Sequence, residues 1–211
     1  MDRGGGRVNG VLVTAMLGLG LAIIVVRRRS VAIALLAAQS LALGGLALNL
    51  ASGRSGDFWV AGLLLSKAII LPVLLYLLVG RTPEARPVAA PAGPMVRLAA
   101  AGAVALCAVV LIPPLGLGAP HTEHTAVALV LVGLAIVIAR RPLLFQVLGL
   151  IVAENGLSLL AVSVPGGLSY VIEFGALFDL ALIVTVAAAF VQRIHSDLGT
   201  GDTEMLRGLR D

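Results

Sequence analysis

Lys67, Glu154, Glu173 and Asp179 stand inside apolar runs long enough to cross a bilayer, in a chain of 211 residues. A charged side chain at the centre of a bilayer costs about 2.5–3.5 kcal/mol even on the mildest scale, and residues kept at that cost mark ion or proton paths. Burial disfavours the charged form of an acid or a lysine, and a neighbouring opposite charge favours it again. A small rearrangement can therefore move a proton on or off such a set. Gln39, Ser66, Asn155 and Ser158 lie in the same kind of run and could hold connecting waters.

The elements that must position these residues follow from composition. Hydrophobic residues make up 59% of the chain and charged residues 12%, against about a quarter charged in an ordinary soluble domain. The mean hydropathy is +1.07. These values describe an all-α, polytopic integral membrane protein, because unpaired backbone groups are not tolerated in lipid and barrel-type alternation is absent. Seven runs approach the span of about 20 residues that a transmembrane helix needs. They cover residues 8–26, 31–50, 58–79, 97–118, 125–139, 143–164 and 167–192. The fifth is short and should extend at one end. Pro113 and Pro114 should end or kink the fourth. The first run, behind Arg3 and Arg7, has no small-residue cleavage site and ends in Arg27, Arg28 and Arg29, so it reads as a retained helix rather than a signal peptide.

Seven spans divide the arginines sharply. Arg27, Arg28, Arg29, Arg81, Arg86, Arg97, Arg140, Arg141, Arg193, Arg207 and Arg210 fall on one side, and Arg3, Arg7 and Arg54 on the other. By the positive-inside rule the N-terminus is outside and the C-terminus cytoplasmic. Residues 1–80 form a three-helix part. Residues 81–96 form a cytoplasmic linker stiffened by Pro83, Pro87, Pro91 and Pro94. Residues 97–194 form a four-helix part, and 195–211 a cytoplasmic tail. At 1.5 Å per residue, Glu154 is about 16 Å from the cytoplasmic end of its helix and Asp179 about 18 Å from the outer end of the next. Lys67 is about 14 Å from the outside and Gln39 at a similar depth from the inside, whereas Glu173, about 9 Å deep, could reach outer water. Glu154, Asp179 and Lys67 thus share a level near the midplane.

Structural readings stand beside these. Lys67 paired with an acid would lock two helices together, and Gln39 could make an ordinary interhelical hydrogen bond. His121 and His124 suggest a metal pair, but they sit in an expected outer loop with no third ligand nearby, so a solvated loop is the reading taken and no metal site is expected. Cys107 is the only cysteine, and inside an apolar run it is expected to pack as a small hydrophobe. No cofactor is expected and, without a basic cluster interleaved with aromatics, no nucleic acid.

Arg140-Arg141-Pro142-Leu143-Leu144-Phe145, Gly149-Leu150, Ala153-Glu154-Asn155-Gly156, Val171-Ile172-Glu173-Phe174-Gly175, Phe178-Asp179 and the tail from Gly199 to Glu204 carry a family resemblance. With Ala38-Gln39-Ser40 and Ser66-Lys67 through Pro72, the sequence resembles hydrogenase-4 component E and, in its last three helices, the K-type subunit of respiratory complex I and the related C-type subunit of Na⁺/H⁺ antiporter assemblies. The resemblance implies a membrane subunit of a complex I-related oxidoreductase in a bacterial or archaeal plasma membrane. Its partners would be antiporter-like and coupling membrane subunits, a peripheral hydrogenase or related module, and the bilayer. It also implies a proton relay through glutamates on helices six and seven. The K-type glutamate directly follows Gly-Leu, where this chain has Ile151, and Glu154 comes three residues later, about one turn along the same face. The expectation is a proton relay of Glu154 and Asp179, tuned by Lys67, with Glu173 and Gln39 at its margins and no catalytic activity in the chain alone. The alternatives are a connector subunit without a proton path and a subunit of a Na⁺/H⁺ antiporter.

Overall fold

The computed structural model describes residues 3–51, 55–80, 93–113, 120–140 and 142–163, with Val184 and Ala188. Six long helices fill these ranges: α1 (Arg3–Val25), α2 (Arg29–Leu50), α3 (Ser55–Gly80), α4 (Pro94–Leu111), α5 (Pro120–Ala139) and α6 (Leu143–Ser163). There is no strand among the described residues. The helices carry no narrow apolar stripe, as expected where lipid rather than water surrounds them. Five are long and apolar enough to cross a membrane: Arg29–Leu50, Phe58–Leu77, Pro94–Leu111, His121–Ala139 and Leu144–Ala161. In α1 the described apolar stretch is Asn9–Val25. Of the seventh run only Val184 and Ala188 are described; both are helical, and Val184 is buried.

Helix ends follow local chemistry. α4 begins at Pro94, three residues earlier than the apolar run, because proline with its fixed φ suits the first helical position. It ends at Leu111, one residue before Ile112 and ahead of Pro113, since the residue before a proline is driven out of the helical region. α5 extends at its N-terminal end to Pro120. His121, Glu123 and His124 therefore occupy its first turn and not the loop expected from the sequence. The His124 ring nitrogen lies 3.0 Å from the Ile112 carbonyl, joining the end of α4 to the start of α5. Pro72 lies inside α3 and removes one backbone donor, which membrane helices tolerate.

Three-residue connections join α1 to α2 and α5 to α6, so each pair is an antiparallel hairpin. α5 and α6 form the most extensive contact, followed by α2 with α3 and α1 with α2; α4 lies against α5 and α1. The α5–α6 seam is built on glycine. A Cβ on Gly133 would stand 2.5 Å from the Gly149 carbonyl oxygen, and one on Gly156 would stand 2.8 Å from the Ala126 carbonyl oxygen. Small residues at such seams let backbones approach closely enough for dispersion to hold membrane helices together. Met16, Leu36, Leu129, Leu148 and Ile151 are fully buried around this seam and α1–α2. α3 and α4 instead expose Trp59, Ile69, Tyr76, Leu106 and Val110.

Candidate functional site in the middle of the bundle

Lys67 and Glu154, the two ionisable residues near the centres of α3 and α6, form an ion pair. Lys67 is 2% exposed and the Glu154 side chain 14%. α3 packs on α2 rather than extensively on α6, so the four-carbon stem of lysine is what spans the gap. Lys67 Nζ donates to Glu154 Oε2. Ser158, one turn along α6, donates its hydroxyl to Oε1 at 3.2 Å. Both carboxylate oxygens thus have donors, as a charge held away from water requires.

Asn155 begins a second polar chain on the adjacent face of α6. Its Nδ2 donates to Gln39 Oε1 and to Ser40 Oγ, both at 3.1 Å on α2. Gln39 Nε2 donates to the Met16 carbonyl of α1 at 2.9 Å, using the second lone pair that a helical carbonyl retains. Gly20 makes room for this contact, because a Cβ there would lie 3.2 Å from Gln39 Nε2. Gln39 and Asn155 are fully buried and Ser40 is nearly so. Asn155 Oδ1 is buried without a hydrogen-bond partner among the described residues. Two neighbouring residues of α6 thus carry polar groups toward α3 on one side and toward α2 and α1 on the other, all at mid-helix positions.

Of the residues expected at the site, the structure joins Lys67 to Glu154, and Gln39 to Asn155, the residue that follows Glu154 on α6. Glu173 and Asp179 lie outside the described residues. Ser66 turns back on its own helix, donating to the Leu63 carbonyl at 2.7 Å. Ser40 and the Met16 carbonyl were not foreseen as site groups. Ser40 adjoins Gln39, a signal the sequence did contain, whereas a backbone carbonyl leaves none. No group of three potential metal ligands occurs among the described residues. An amine, a carboxylate and a hydroxyl are thus in hydrogen-bond contact inside the bundle, with a separate chain of amide and hydroxyl groups beside them.

Comparisons with known proteins give one consistent finding over most of the chain. The chain is similar to hydrogenase-4 component E of Escherichia coli (strain K12), 28% identical over 156 residues, which is 72% of each chain. The protein of the same name from Shigella flexneri matches to the same extent. A shorter similarity, 30% over 86 residues, covers 41% of this chain and 39% of the uncharacterized protein Rv0085 of Mycobacterium tuberculosis (strain ATCC 25618 / H37Rv). No family model matches the chain, and no solved structure matches it.

Proposed function

From the homology of this chain to hydrogenase-4 component E, we propose that it is a membrane subunit of a hydrogenase-like oxidoreductase complex and carries part of a proton-translocation path. The observation that carries this reading is the Lys67–Glu154 pair, buried at mid-helix depth in helices apolar enough to cross a membrane. A clamp between helices can be made from apolar residues at lower cost. An ion pair that exchanges a proton with its neighbours gives the expense a purpose.

In this proposal Glu154 is the central proton acceptor and Lys67 sets its charge state. Asp179 is the next acid along the path, Glu173 is the connection toward the outer surface or a neighbouring subunit, and Gln39 borders the path through Asn155. The chain crosses the plasma membrane seven times with its C-terminus cytoplasmic, a topology supported by the distribution of arginine. Antiporter-like and coupling subunits would be its neighbours in the membrane, and the hydrogenase or a related module its peripheral partner.

The test is substrate-driven proton uptake by inverted membrane vesicles carrying the whole complex. Glu154→Gln and Asp179→Asn should each abolish uptake while the complex still runs intact on a native gel. Normal uptake in both variants refutes the relay. A connector role is the second reading, favoured by the direct Gln39–Asn155 contact; loss of the complex on the gel with either variant would select it.

A further inference from the structure

A second group of charges gathers at the arginine-rich end of the bundle. Arg97 is in the first turn of α4, and Arg140 follows α5 directly. They are 5% and 6% exposed. Arg140 Nη2 donates to the Val26 carbonyl at 2.8 Å, and the guanidinium lies 3.6 Å from the centre of the Phe145 ring. Beside Val26 stands Arg27, exposed in the middle of the α1–α2 connection. Arg140 Nε and Arg97 Nε and Nη1 have no hydrogen-bond partner among the described residues. None of the three arginines is ion-paired with a described carboxylate.

Buried guanidinium donors left unpaired are costly, and placing like charges beside one another adds to that cost. An anion removes both penalties. Position indicates its source. Arg97 begins one apolar span and Arg140 adjoins the end of another, so the cluster is at headgroup level, where basic pockets between helices meet anionic lipid. Above it the outward side of α4 is apolar, with Leu106 and Val110 exposed, and only 22% of the α4 span is buried. Acyl chains fit that face.

We propose that Arg27, Arg97 and Arg140 form a binding site for the phosphate of an anionic phospholipid whose acyl chains lie along α4. The buried Arg97 and Arg140 donate to the phosphate oxygens, and Arg27 adds charge from the aqueous side. Burial, with the charges of Arg97 and Arg27, lowers the pKa of Arg140 to about 10. It therefore stays protonated at neutral pH and keeps its donors.

The full-length chain in detergent, titrated with dioleoylphosphatidylglycerol, dioleoylphosphatidylcholine or inorganic phosphate, tests this by thermal melting and native mass spectrometry. Phosphatidylglycerol should raise the melting temperature and remain bound as a one-to-one adduct; phosphatidylcholine should not. Arg97→Gln and Arg140→Gln should each weaken the adduct by at least about fivefold, and Arg97→Lys by less. Arg28→Gln, at an exposed arginine beside the site, should leave it unchanged. If Arg97→Gln does not fold, Arg140→Gln and Arg97→Lys decide the matter. An equal loss with Arg28→Gln would show general attraction to a basic surface and overturn the proposal. So would stabilisation by inorganic phosphate alone, or an assembled complex that holds no lipid there and cross-links a partner carboxylate to Arg97.

Discussion

Removing one member of the Lys67–Glu154 pair should be far more damaging than removing both. Lys67→Met leaves Glu154 in the bundle with only the Ser158 hydroxyl as a described donor. Breaking a buried pair in this way costs about 3–5 kcal/mol, whereas replacing both partners with apolar side chains is often neutral. The single variants should therefore lose about 3–5 kcal/mol and Lys67→Met/Glu154→Met less than either, a coupling energy of at least about 3 kcal/mol. Reversible unfolding in mixed micelles, read by circular dichroism, measures the cycle. Additive losses, or single variants within about 0.5 kcal/mol of the parent, would refute the view that the two charges depend on each other.

Asn155→Leu removes both donations to α2 and leaves Gln39 Oε1 buried; about 1–3 kcal/mol of stability should go, measured in the same assay, with Ser40→Ala losing less. Gly149→Leu puts a side chain where even a Cβ would be 2.7 Å from the Gly133 carbonyl oxygen, so α5 and α6 must separate. Cysteine pairs across that seam, introduced in a Cys107→Ala background, should then cross-link more slowly than in the parent. In the same background, cysteines at Arg54 and at Arg141 should react with an impermeant maleimide from opposite sides of the membrane; labelling of both from one side would refute the proposed topology.

Hydropathy located α2 to α6 because lipid demands long apolar runs, and Pro113 fixed the end of α4 because its chemistry is local. Lys67 and Glu154 stood out for the same reason: each breaks an apolar run. Their pairing was not legible, since hydropathy gives depth along each helix and says nothing about which helices lie side by side. Gln39 meets Asn155 through the lateral packing of α2 on α6, with Gly20 of α1 leaving room beside the Gln39 amide. In the sequence Arg97 and Arg140 mark topology only, as arginines at span ends usually do. Their burial depends on α4 lying against α1 and α5, which no single run reveals.

The bond from Arg140 to the Val26 carbonyl joins residues 114 apart in sequence, and this orders events during synthesis. At 5–20 residues per second the ribosome makes Arg140 roughly 6–23 s after Val26. For the later part of that interval the first hairpin is complete and its turn is unfastened. The fastening of one hairpin turn to the other is therefore a late step of biogenesis, made when the second hairpin arrives.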